Sequence, residues 1–177
     1  YNSIHDPELL AGCSKAAEVI KQAIDDKQKI LIYGDYDVDG ITSVSILLSL
    51  FKLCNADCDF FVPHRLDDGY GFNQQSLERV VNNGVDLIIT VDCGISSADL
   101  IEKFKDRVNF IITDHHALPK QLPQGCTLVH PLLVNEDTKK YPNPNLCGAG
   151  VAFKLAWQIA RQICGTRKVG AKWREFL

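Results

Sequence analysis

Three aspartates stand within five residues, Asp35, Asp37 and Asp39, in the segment Asp35-Tyr36-Asp37-Val38-Asp39-Gly40. They follow the apolar run Lys29-Ile30-Leu31-Ile32-Tyr33 and precede a helix-like run from 41 to 53. Carboxylates crowded at the end of a buried strand repel one another, and a divalent cation is the group best able to gather them. Two further clusters stand in the same relation to later apolar runs, Thr90-Val91-Asp92-Cys93-Gly94 and Thr113-Asp114-His115-His116. Asp37 and Asp39, two apart in an irregular turn, are placed to face two neighbouring ions. Asp92 has two oxygens with which to bridge them. His115 adds a nitrogen donor of the kind taken by Mn²⁺, Zn²⁺ or Fe²⁺. Mixed carboxylate and imidazole ligation suits hydrolysis of a phosphate ester. Two ions about 3.5–4 Å apart activate water and neutralise charge on the attacked phosphoryl oxygens.

Each cluster alone has a plainer reading. Asp-x-Asp-Gly is also the sequence of a turn or a calcium loop, although a preceding strand and the lack of a late glutamate disfavour a helix-loop-helix calcium hand. Asp92 ahead of Gly94 also fits a helix N-cap. His115 and His116 also fit a solvated turn. Three such clusters, each at a predicted strand end, carry the argument.

The elements that must position them read as alternating helices and strands. Residues 6–26 have helical periodicity, with Leu9, Leu10, Cys13, Ala16, Ala17, Ile20 and Ile24 inward. Strands are predicted at 30–33, 59–62, 86–91, 108–113 and 127–129. Helices are predicted at 40–53, 96–104 and 151–163, and from Asn73 or Ser76 to Val81 before Asn83-Gly84. In the helix at 40–53, Ile41, Val44, Ile46, Leu47, Leu50 and Phe51 are expected to face inward. Residues 135–145 are polar and Pro-rich, a loop. Strands that are apolar without alternation imply a mostly parallel, open α/β sheet with helices on both faces. Right-handed crossovers place every strand's C-terminal end on one rim, where ligands bind in such sheets. The clusters, about 55 and 20 residues apart, can therefore meet.

The 177 residues suffice for one domain, with 46% hydrophobic and 23% charged residues. No apolar stretch reaches bilayer length, and residues 1–10 lack the apolar segment of a signal peptide. The absence of Met implies that Tyr1 is not the translated start and that the chain is processed or part of a longer one. Seven cysteines, an odd number without a CxxC pair, fit reduced thiols in the cytoplasm rather than a zinc ribbon or disulfide framework. A net charge of −3 argues against a dedicated basic nucleic-acid surface, though ions bound among carboxylates would invert the local field.

The three clusters in this order resemble the DHH phosphoesterase superfamily. Val62-Pro63-His64-Arg65-Leu66-Asp67-Asp68-Gly69-Tyr70-Gly71 and Leu146-Cys147-Gly148-Ala149-Gly150-Val151-Ala152-Phe153-Lys154-Leu155 resemble its RecJ branch, and the match runs from about Asp6 to Leu155. The resemblance implies a DHH-domain-like fold and a two-ion Mn²⁺ or Mg²⁺ centre. It also implies 5′→3′ exonuclease activity on single-stranded DNA, in DNA repair and recombination. It implies Asp37, Asp39, Asp92 and His115 as metal ligands, with Asp92 bridging. Asp35 becomes an extra ligand or water-orienting carboxylate, His116 an electrophile or proton donor at the scissile phosphate, and Asp114 a residue that orients a neighbouring histidine.

Two departures stand out. Tyr33 occupies a position where many superfamily members carry histidine. A later metal-binding aspartate has no match, Glu175 being the nearest acid, and the family's C-terminal substrate-binding domain is expected to be missing. The resemblance thus implies a truncated catalytic core, weakly active or inactive alone. Related enzymes cleave oligoribonucleotides, cyclic dinucleotides, polyphosphate or pyrophosphate, and other relatives serve as non-catalytic binding modules. Arg65 either grips a phosphate or is an exposed loop arginine. Gly148 and Gly150 either offer backbone N–H groups to an anion or make a tight helix entry. Tyr70 either stacks on a base or packs its turn. His130 before Pro131 reads as structural, His64 as lining the cleft or facing solvent, and Trp157 and Trp173 as core or interface aromatics.

Overall fold

Short runs of isoleucine, leucine and valine become the sheet. In a computed structural model describing residues 4–63, 72–134 and 140–176, the strands are β1 (Ile30–Gly34), β2 (Cys58–Phe61), β3 (Leu87–Val91), β4 (Asn109–Thr113) and β5 (Thr127–Val129). The helices are α1 (Cys13–Asp25), α2 (Val38–Leu53), α3 (Gln74–Asn82), α4 (Ala98–Phe104), α5 (Gly148–Cys164) and α6 (Ala171–Phe176), with a 3₁₀ turn at Pro7–Leu9. The sheet order is β2-β1-β3-β4-β5 and every pairing is parallel. This is the expected open α/β sheet.

Every residue of β1 and β3 is buried, as their unbroken apolar composition requires. Side chains alternate between two cores. Ile30, Ile32, Leu87 and Ile89 join α1, α2 and α5 on one face, while Leu31, Tyr33, Ile88 and Phe110 join α3 and α4 on the other. Tyr33 lies edge-on to Phe72 at 4.8 Å and beside Phe61 at 5.1 Å, so it fills the second core.

The register sets the site. Gly34 pairs with Val91, Val91 with Thr113, and Thr113 with Val129. Asp35, Asp92, Asp114 and His130 therefore follow one aligned row, at the strands' C-terminal ends. The chain leaves β1 to one side for β2 and returns to β1's other side for β3. The crevice at that reversal is where open α/β sheets bind ligands.

Several boundaries differ from the sequence expectation. The predicted helix over 6–26 is divided, because Gly12 at φ 74° breaks it ahead of α1. A Cβ on Gly12 would lie 1.8 Å from the Leu128 carbonyl oxygen, a close approach to β5 that only glycine permits. Helix α2 begins two residues earlier than predicted, so Asp39 lies in its first turn rather than in an irregular loop. Ile41 is 50% exposed instead of inward, while Val44, Leu47, Leu50 and Phe51 are buried as expected. Helix α6 was not predicted. Residues 135–139 of the expected loop fall outside the described residues, as do His64, Arg65 and Tyr70 and the side chain of Glu175.

Candidate metal centre

The first cluster leaves β1 and turns directly into α2. Asp35 Oδ1 accepts the Tyr36 N–H at 2.7 Å. Asp37 is the N-cap of α2, its Oδ1 accepting the Gly40 N–H at 2.9 Å. Asp39 reaches across to α5, where Oδ2 accepts the Gly148 N–H and Oδ1 the Ala149 N–H, each at 2.7 Å. Gly148 has two readings from the sequence, an N–H offered to an external anion or a tight helix entry, and the N–H is held by a carboxylate of the chain itself. Gly150 makes a close packing contact, since a Cβ there would lie 2.5 Å from Leu146 Cδ1.

Asp92 follows β3 in the left-handed conformation, φ 61°, a state in which aspartate is tolerated better than most residues. Residues held this way gather at functional sites. Thr113 Oγ1 donates to the Thr90 carbonyl at 2.8 Å and Thr90 Oγ1 to the Cys93 carbonyl at 2.8 Å, fixing the turn from both sides. Asp92 is 2% exposed. Burial, then the negative charges of Asp39 and Asp37, push its pKa up to about 7. His115 Nε2 stands 3.1 Å from Asp92 Oδ1 and 3.6 Å from Asp39 Oδ2. The 3.1 Å contact lacks hydrogen-bond geometry, so this buried oxygen has no donor among the described residues.

Asp114 serves the histidines. Its Oδ1 accepts the His115 N–H at 2.7 Å, the His116 N–H at 3.1 Å and His116 Nδ1 at 2.7 Å, while Oδ2 accepts the Ile95 N–H at 3.0 Å. Burial alone would raise Asp114, but these bonds hold it below the usual carboxylate range. Burial alone would lower His116. The Asp114 hydrogen bond and charge outweigh that and raise it. With Nδ1 on Asp114, Nε2 of His116 is left for a substrate, on a side chain 58% exposed. His130 Nδ1 accepts the Leu132 N–H at 3.1 Å, so its Nε2 carries the proton and donates to the His116 carbonyl at 2.9 Å. His130 is structural, as expected, and what it steadies is the backbone of His116.

The donor set fits a divalent cation. Two donors on one ion at about 2.1 Å stand about 3.0 Å apart in an octahedral arrangement and about 3.5 Å apart in a tetrahedral one. The Asp92–His115 and Asp39–His115 separations match these spacings. A cation would also supply the positive partner that the buried Asp92 oxygen lacks. One donor atom each from Asp92, His115 and His116 lies within 4.8 Å of the others, so His116 shares the pocket with the predicted ligands. Of the predicted set, the structure brings Asp39, Asp92 and His115 together. Asp37 acts on Asp92 through its charge, and Asp35 acts on His116 in the same way. Ala149 escaped the sequence reading because its contribution is a backbone N–H 110 residues from its partner. The aligned row of strand ends would have pointed to His130.

The family model for the DHH family, N-terminal domain, matches residues 29–173. The chain is 43% identical over 160 residues to the single-stranded-DNA-specific exonuclease RecJ of Bacillus subtilis, covering 90% of this chain and 20% of that protein. It therefore spans about a fifth of that relative's length. A crystal structure of exonuclease RecJ bound to manganese superposes with a TM-score of 0.78 at 34% identity, covering 94% of this chain and 41% of that one. RecJ of Thermus thermophilus in complex with Mn²⁺ gives a TM-score of 0.72 at 31% identity, covering 94% and 23%.

Proposed function

The chain belongs to the DHH family, and from that premise we propose that it carries the metal-dependent phosphodiesterase centre of a RecJ-like, single-stranded-DNA-specific exonuclease. The observation that carries this reading is the convergence of Asp39, Asp92 and His115 on a buried carboxylate oxygen without a donor. Asp39, Asp92 and His115 would hold Mn²⁺ or Mg²⁺, with Asp37 as a further ligand of a two-ion site. When bound, the ions supply a water nucleophile of lowered pKa and positive charge against the phosphoryl oxygens.

The remaining steps belong to the chain's own groups. Asp114 fixes the His116 ring, so that Nε2 faces the scissile phosphate as a hydrogen-bond or proton donor. Asp35 orients water at the end of β1. Arg65 grips a backbone phosphate, Tyr70 stacks on a base, and Gly150 keeps the entry to α5 narrow. The product is a 5′-mononucleotide released in the 5′→3′ direction. The work falls within DNA repair and recombination in the cytoplasm, a compartment in which thiols such as the seven free cysteines stay reduced.

The test is hydrolysis of a labelled single strand with Mn²⁺ by an intact parent protein that carries this chain, alongside a duplex and a dinucleotide. The proposal expects turnover of the single strand, loss of turnover in Asp92→Ala, and little cleavage of the duplex. Preferred cleavage of the dinucleotide, or undiminished turnover by a folded Asp92→Ala variant, contradicts it.

A further inference from the structure

Resting on the metal-centre reading, we propose that the first turn of α5 is a positioning device for two ligands at once. The Gly148 and Ala149 N–H groups lock the Asp39 carboxylate, and the bare Cα of Gly148 reserves the space of Asp92.

The first N–H groups of any helix lack partners within it. In α5 the N-cap, Cys147, supplies no side-chain acceptor. Two of those N–H groups instead converge on one carboxylate, each on a different oxygen and each at 2.7 Å. A two-point grip fixes the rotation of the Asp39 carboxylate in a way that one hydrogen bond cannot. It also leaves each oxygen a second lone pair for a cation.

The same residue limits Asp92. A Cβ on Gly148 would lie 2.5 Å from Asp92 Oδ1, 2.8 Å from its Cγ and 2.9 Å from its Cβ. Asp92 cannot retreat easily, because its side chain is buried and its backbone is already in the left-handed region. Helix α5 is anchored against α1 and α2 through Val151, Leu155 and Ile159, so its N-terminus is a fixed reference. One glycine thereby sets the spacing of a carboxylate from the β1–α2 turn against a carboxylate from the end of β3.

Mere capping and ligand positioning predict different results. Gly148→Ala adds the obstructing methyl. Ala149→Pro removes one N–H at a first-turn position, where proline is tolerated. Calorimetric titration of the 177-residue chain with MnCl₂ is expected to show affinity weakened ten- to a hundredfold in both variants, the usual range for lost support of a ligand. Melting of the metal-free forms is expected to change less than melting of the Mn²⁺-saturated forms. Unchanged affinity with equal loss of stability in both states indicates a cap alone and overturns the inference. If neither variant folds, the unaltered chain decides. On Mg²⁺ titration followed by amide NMR, the Gly148 and Ala149 signals are expected to move with the midpoint of the His115 signal. Static signals overturn the inference. Absence of Mn²⁺ binding by the unaltered chain overturns the metal-centre reading together with it, whereas binding with unaltered affinity in the variants overturns this inference alone.

Discussion

Asp92→Asn should make the metal-free protein more stable while abolishing its response to metal. Asp92 is 2% exposed, stands near Asp39 and Asp37, and has an Oδ1 that receives no hydrogen bond among the described residues. A buried polar atom without a partner costs about 1–3 kcal/mol in either residue, and a buried charge costs more, so the substitution removes only the excess due to charge. Asparagine has the same shape, carries no charge, and tolerates the left-handed conformation at φ 61°. The substitution should therefore raise metal-free stability by about 2 kcal/mol. At roughly 2–4 °C per kcal/mol for a domain of this size, that is a rise of about 4–8 °C in Tm. Mn²⁺ at a hundred times its Kd should add about 2.7 kcal/mol to the unaltered chain and nothing comparable to the variant. Differential scanning calorimetry with and without Mn²⁺ measures all four states. A variant that melts lower than the parent without metal, or that keeps the full Mn²⁺-dependent rise, refutes the reasoning.

Other expectations follow from single contacts. Gly12→Ala forces a Cβ to within 1.8 Å of the Leu128 carbonyl oxygen at φ 74°, and should lower stability in urea titration by at least about 2 kcal/mol. Asp114→Asn removes the charge that fixes His116, and should cut Mn²⁺-dependent kcat by about 10–100-fold with Mn²⁺ stoichiometry unchanged in calorimetry. Lys154 is 2% exposed, donates to the His5 carbonyl and lies 5.0 Å from the Trp157 ring, and burial pushes its pKa down to about 8. The folded chain then binds fewer protons than the unfolded chain between about pH 8 and 10.5, so this group's penalty applies in full below pH 8 and fades as pH rises. Lys154→Met should accordingly melt higher than the parent at pH 7, with the gap closing toward pH 10.5. A gap that widens with pH contradicts this.

The sheet was legible because its strands announce themselves. Ile30–Gly34 and Leu87–Val91 carry no polar alternation, and burial on both faces is the condition that allows it. The convergence of Asp39, Asp92 and His115 was legible for the same reason, since parallel strands in register deliver their ends to one rim. What sequence could not reveal depends on contacts between distant segments. The break at Gly12 reflects a carbonyl in β5. The grip on Asp39 uses backbone N–H groups that every residue but proline possesses, so no residue type signals it. Ile41 misled the inward assignment of α2, being 50% exposed despite its apolar character. Tyr33 makes sense as the aromatic centre of the second core.

Anomalous diffraction from crystals grown with Mn²⁺ locates the ions and lists their ligands. Manganese is expected within coordination distance, about 2.0–2.4 Å, of Asp39, Asp92 and His115 at the β1–β3 crevice. Manganese elsewhere on the surface, with those three side chains bare at saturating metal, would contradict it.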